Sequence, residues 1–263
     1  MNQPVLESSC ASGQLIMNGQ DVTMNPLPTV SQLVAARPPR ARVFEKWGIP
    51  YCCGGGNASL DVACSQRGIE LGAVQADLVE CDRRGSALPL CAPANWPQAP
   101  LGGFIDHIVE AHHQYLRAEL PRLSSLLHRV ADKHGTLFPE IWELQGLFEE
   151  FKNSLEQHLD KEEQTLFPLL KRLEASSPWL AFPAQGRLAN PICLLEMEHA
   201  FLRDDLSKLR EWTHDFTPPE AACGTYRVLL HSLAELEIEL IRHMSEEEDI
   251  LFPRALSVTE SQV

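Results

Sequence analysis

Two phrases of this chain place the same chemistry at the same spacing. Residues 158–168 read HLDKEEQTLFP and residues 243–253 read HMSEEEDILFP, both fitting H-x-x-x-E-E-x-x-L-F-P. Residues four apart on a helix share a face. His158 therefore points with Glu162, and His243 with Glu247. Imidazole suits iron, zinc and copper, and a carboxylate can bridge two cations. Two such pairs, each on its own helix, can converge on one buried point, which is how a helical bundle builds a two-metal site.

A second repeat accompanies the first. His113–Leu123 reads HQYLRAELPRL and His199–Leu209 reads HAFLRDDLSKL, both fitting H-x-[YF]-L-R-x-[ED]-L-x-[RK]-L. The copies lie 86 residues apart, against 85 for the first pair. The chain thus reads as two copies of a helix pair: His113 with His158 and Glu162, then His199 with His243 and Glu247. The register selects His113 over its neighbour His112. Glu162 and Glu247 are suited to bridge two irons, with His113, His158, His199 and His243 as terminal ligands. The remaining positions would hold an oxo or hydroxo bridge and a small ligand such as O2 or NO. A purely structural duplication would preserve Leu and Phe, with little reason to keep His and Glu in register. The same donors also suit zinc.

The neighbours of these residues have plainer readings. Glu163 and Glu248, turned about 100° from the bridging pair, read as surface groups or supports of the ligands, as does Glu198 beside His199. The Leu-Phe-Pro segments read as apolar closures of helix ends. His107, His112, His128, His134, His214 and His231 have no repeat partner and read as ordinary hydrogen-bonded histidines.

Long helices must position these groups. Ile105, Ile108, Leu116, Leu120, Leu123, Leu127 and Val130 keep helical spacing, as do Leu147, Phe151, Leu155, Leu159, Leu166 and Leu169. The second helix is expected to start at Pro139, the third to run from about Pro191 to Trp212, and the fourth to begin near Pro218–Pro219 and run towards Pro253. No segment reads as strand. The prediction is an all-α fold: an antiparallel four-helix bundle over 103–256, preceded by a small helical domain over 29–83. In that domain TVSQLVAA, RARVFEKWG, ASLDVACSQRG and ELGAVQADLVECDRRG read as short helices around the Gly-rich turn Cys52-Cys53-Gly54-Gly55-Gly56. Residues 84–102, rich in Pro, Gly and Ala, read as a linker, and 1–28 as a disordered tail.

Composition narrows the partners. A net charge of −14 argues against nucleic acid or an anionic membrane. No apolar run is long enough for a membrane span, and no secretory signal is visible, which together suggest a cytoplasmic location. The chain has eight cysteines, none in a C-x-x-C pair, so a zinc ribbon is not expected. Cys52 and Cys53 stand out as candidate reactive thiols, since a Gly-rich turn ahead of a helix can lower a thiol pKa. Cys64 follows on the next helix, while Cys10, Cys81, Cys91, Cys193 and Cys223 fall into no pattern.

These residues resemble the di-iron iron–sulfur cluster repair family (RIC proteins, regulators of cell morphology and NO signalling). VFEKWGIPYCCGGGNASLDVAC looks like its N-terminal vicinal-cysteine domain. His113, His158-x-x-x-Glu162, Met197-Glu198-His199 and His243-x-x-x-Glu247, with LFP and LFPRAL, look like its hemerythrin-like domain. The resemblance implies two non-haem irons in a four-helix bundle, and a cytoplasmic stress-response role under nitric oxide or oxidative stress. There the protein would repair damaged iron–sulfur clusters as an iron donor. Its partners would be damaged iron–sulfur proteins or the cluster-assembly machinery, with NO or O2 as small ligand. Reduction of NO, or NO or O2 binding by a scavenger or sensor, are the rival readings. No counterpart of the extra histidine of oxygen-carrying hemerythrins is found, which disfavours O2 carriage. Whether the N-terminal unit forms a homodimer or docks over the bundle is left open by the sequence, and the segment before residue 29 lies outside the family pattern.

Overall fold

The computed structural model describes residues 28–52, 55–85, 95–175 and 185–260. The expected tail over 1–28 falls almost wholly outside these residues, as do Cys10, Cys53, Cys91 and much of the expected linker. The regular structure among the described residues is helical, and their only extended pairing is a single bridge between Thr29 and Ser59.

Four short helices come first: α1 (Val30–Ala36), α2 (Arg40–Lys46), α3 (Leu60–Ser65) and α4 (Leu71–Arg84). Thr29 starts α1 through a capping box, its hydroxyl accepting from the Gln32 N–H at 3.2 Å while the Gln32 side chain accepts from the Thr29 N–H at 2.9 Å. Four long rods follow: α5 (101–134), α6 (140–175), α7 (Gln185–Trp212) and α8 (224–260). Consecutive rods pack side by side, and α8 closes against α5, giving the antiparallel four-helix bundle.

Two expected starts move. The third rod begins at Gln185, with Pro191 inside it. Leu188, Ile192 and Leu195 are buried at helical spacing on both sides of the proline, and that burial outweighs one lost backbone hydrogen bond. The fourth rod begins at Gly224. Pro219 disfavours helical backbone at Pro218, and left-handed backbone at His214, Asp215 and Phe216 turns the chain just before.

Three rods carry a π-helical turn: Ile108–His113 in α5, Glu162–Leu166 in α6 and Glu247–Leu251 in α8. The Leu-Phe-Pro segments therefore do not close helices. α6 and α8 pass through their π turns and on through Pro168 and Pro253. The widened turn precedes the residue that has no N–H to donate, where an α-helical ladder would break anyway.

The apolar interior falls into two blocks. One contains Leu116, Leu155, Leu202 and Leu240 and continues into the N-terminal unit through Val30, Val34 and Phe44. The other contains Ile105, Ile108, Leu166, Ile192, Leu195 and Leu251. Along every rod, the repeated His and Glu lie at the junction of the two blocks.

The N-terminal unit is docked on the bundle. Arg42 forms a fork on Glu119 and reaches Glu235 at 3.2 Å, and Arg122 pairs with Glu45 at 2.6 Å. Glu119 and Glu235 are buried, so Arg42 neutralises charge that has little access to water.

Candidate metal centre

The two repeats converge on one buried layer. His113, His158, Glu162, His199, His243 and Glu247 are each at most 1% exposed. Their ligand atoms form two groups, each within 4.8 Å: His113 and His243 with both glutamates, and His158 and His199 with both glutamates. The histidines pair across the repeat, one from each copy, a pairing the sequence did not specify.

Atom positions define the arrangement. Within the pairs, Nε2 faces Nε2 at 3.1 Å for His113 and His243 and at 3.0 Å for His158 and His199. Glu162 turns Oε2 towards His113 at 3.4 Å and Oε1 towards His158 at 3.1 Å. Glu247 turns Oε1 towards His243 at 3.3 Å and Oε2 towards His199 at 3.2 Å. Each carboxylate divides its two oxygens between the two histidine pairs.

These donors fit a pair of cations. None of the four carboxylate oxygens accepts a hydrogen bond, although all are buried. Leaving such oxygens without a partner costs several kcal/mol, about 1–3 for each neutral group and more for charged ones. Two imidazole nitrogens 3 Å apart can share only one proton between them, whereas two ligands of one metal meet at about this separation. Without metal, burial opposes charge on His158, but Glu162 outweighs it and carries the imidazole up to about 9. Burial likewise opposes charge on Glu162, and the surrounding His158 and His113 hold it well below the usual carboxylate range.

Comparison with known proteins bears on this geometry. Residues 105–255 match the hemerythrin HHE cation binding domain, and residues 27–82 match the ScdA_N domain, of unknown function. The iron-sulfur cluster repair protein YtfE of Escherichia coli O81 is 32% identical over 232 residues, which is 87% of this chain and 96% of that protein. The YtfE of Edwardsiella ictaluri is 30% identical over 86% of this chain and 96% of its own length. A probable iron-sulfur cluster repair protein of Haemophilus influenzae is 29% identical, over 87% and 96% respectively. The chain belongs to the hemerythrin-like iron–sulfur cluster repair family.

In this hemerythrin-like chain neighbouring side chains support the converging histidines. His113 Nδ1 meets Glu163 at 2.9 Å, and His199 Nδ1 meets Glu248 at 2.8 Å. Arg117 holds Glu163 at 3.1 Å, and Arg203 grips Glu248 with a fork at 2.9 and 2.6 Å. His158 Nδ1 meets Glu198 at 3.1 Å, backed by Lys161 at 2.5 Å. With Nδ1 donating outward, each Nε2 lone pair faces the centre. Phe167 stacks on His113 and Phe252 on His199, so the Phe of each Leu-Phe-Pro is a lid on an imidazole. His243 is the exception, its buried Nδ1 having no hydrogen-bond partner.

The cysteines lie elsewhere. Cys52 accepts a hydrogen bond from the Thr225 N–H at 3.4 Å, at the start of α8. From Thr225 to His243 the helix rises about 27 Å, so Cys52 sits far along the rod from the histidines. Cys53 is outside the described residues. Cys64 is buried in the core, and burial pushes its thiol up. Cys223, which sequence reasoning passed over, lies against Cys52; that hydrogen bond and burial raise its thiol well above the ordinary range. Both line a cleft of about 590 Å³ at the seam between the N-terminal unit and the bundle. No spacing rule could pair two residues 171 apart in the chain.

Proposed function

We propose that this chain holds two irons in the His/Glu layer and repairs damaged iron–sulfur clusters as an iron donor. His113 and His243 would hold one iron, His158 and His199 the other, with Glu162 and Glu247 bridging. The observation that carries this is the division of each buried glutamate's two oxygens between two histidine pairs. The names of the YtfE relatives support the repair role. The irons, when bound, supply the metal that a damaged cluster has lost. The bundle 103–256 is the holder, and the unit 29–83 the accessory, in a cytoplasmic protein whose partners are damaged iron–sulfur proteins.

The chain's own residues account for storage and release. Glu163, Glu198 and Glu248 orient three ligand imidazoles, and each is about 30% exposed on its side chain. Water and protons therefore reach the supporting carboxylates while the ligands stay dry. No described helix is long and apolar enough to cross a membrane.

The test is recovery of an NO-damaged iron–sulfur enzyme on adding the iron-loaded chain. Recovery is expected with the intact protein and not with Glu162→Ala, which removes a ligand common to both irons. Recovery that survives this substitution defeats the iron-donor reading, and purification with zinc from iron-rich medium defeats the metal assignment.

A further inference from the structure

A second cluster of metal-binding side chains lies beside the first and is not used by it. His107, His112 and Glu246 place one ligand atom each within 4.8 Å of one another. Glu246 Oε2 sits between two imidazole nitrogens, 3.3 Å from His107 Nε2 and 3.2 Å from His112 Nε2. We propose that these three residues form a third cation site, taking a single divalent first-row transition ion between solvent and the buried dinuclear layer.

The fold builds this cluster deliberately enough to be read. Residues five apart on an α-helix point about 140° away from each other. The π turn Ile108–His113 removes that divergence, because its ladder joins residue i to i+5. The His107 and His112 rings consequently meet edge to face, their centroids 5.5 Å apart. The same turn directs the next residue, His113, into the dinuclear layer.

Both histidines are held in place. His112 Nδ1 lies 2.6 Å from Glu239 Oε1, and both side chains are fully buried. A carboxylate on one imidazole nitrogen, with the other nitrogen facing the site, is the arrangement that supports metal-binding histidines. Trp96 stacks on the His107 ring at 4.4 Å, and Arg254 fixes Trp96 by donating to its carbonyl at 2.7 Å.

The hydrogen-bond inventory favours a cation. With Nδ1 of His112 donating to Glu239, its Nε2 lone pair faces a carboxylate oxygen. A proton there would satisfy that contact, but His107 Nε2 would still be buried without a hydrogen-bond partner. One cation in the middle satisfies all three atoms. Two imidazoles, one carboxylate and an open fourth position make a donor set common for divalent transition ions.

Its position suits traffic. The side chains of His107 and Glu246 are 12% and 17% exposed, whereas the dinuclear ligands are at most 1% exposed. His112 touches both regions, its ring 5.8 Å from that of His243.

The test uses the full iron-loaded chain and Co(II) alone as probe. Anaerobic equilibrium dialysis followed by metal analysis should find one cobalt per chain with the iron content unchanged. His107→Gln and Glu246→Gln should each weaken cobalt binding at least tenfold and keep their iron, with circular dichroism matching the parent. Visible d–d bands of a nitrogen-and-oxygen cobalt site should vanish with the binding. No cobalt uptake by the parent, or equal uptake by both variants, overturns the site and marks the cluster as a protonated ion triad. Loss of iron together with cobalt in both variants overturns a separate site. A parent without iron that still binds one cobalt at these residues contradicts the dinuclear reading alone.

Discussion

Glu248 shows how much a single outer residue can govern. It joins His199 at 2.8 Å to a two-pronged grip by Arg203, so it fixes both the tautomer and the tilt of one imidazole. Outer carboxylates of this kind are worth about 10–100-fold in metal affinity. Glu248→Gln should lower iron affinity by that order while leaving the fold intact, measured by competition with a chromogenic chelator. An unchanged affinity would show that Phe252 alone suffices to orient the ring. Protons compete at the same atoms. Without metal, His158 carries its proton up to about 9, above the ordinary histidine value, so below that pH the metal must displace a proton. Affinity should therefore climb with pH from neutrality to about 9 and then level. A flat profile across that window would mean that His158 does not ligate. Residue by residue, the six buried donors were legible in the sequence, because duplication kept them in register. The pairing of His113 with His243 was not, since α5 packs against both α6 and α8 and only the packed side-chain geometry selects the partner.

The helices position these donors through local irregularities that the hydrophobic pattern hides. An apolar stripe reports which face is buried, but a π turn adds one residue without interrupting the stripe. That is why no pattern of residues warned of the π turn Ile108–His113, and why His112 looked like an ordinary core histidine. Prolines misled in the opposite sense: Pro191 looks like a start and lies inside a rod, and Pro218–Pro219 lie in a turn before one. Docking of α2 on the bundle is also an element-scale property. Arg42 serves Glu119 and Glu235 together, and both carboxylates are buried. Breaking a buried pair by removing one partner costs about 3–5 kcal/mol. Arg122 still holds Glu119 at 2.7 Å, so Arg42→Ala should lower stability by about the lower end of that range in urea denaturation, and Arg42→Lys by less, since lysine keeps the charge without the fork. A change below about 0.5 kcal/mol for the alanine variant would mean that water has reached the two glutamates.

At the scale of the whole molecule, the division of labour follows the two apolar blocks. The larger block ties the N-terminal unit to one end of the bundle, and the smaller one seals the other end. Between them lies a band containing four imidazoles and two carboxylates, all buried. Two bound cations would turn that band from a liability into the strongest cross-link in the protein. Stripped of them, the band is a fault line: two buried carboxylates balanced only by the imidazoles that take up a proton, with an oily block on either side. The melting of the protein should reveal this. Calorimetry of the iron-loaded chain should give one cooperative peak, and of the chelated chain two, the smaller block parting first. A single sharp peak after chelation would mean that the histidines and glutamates neutralise one another well enough to keep the two halves fused. If the fault line exists, losing iron does more than empty a store: it loosens the end of the bundle that carries Trp96, His107 and Phe252, and so the chain would report its own depletion as a change in shape.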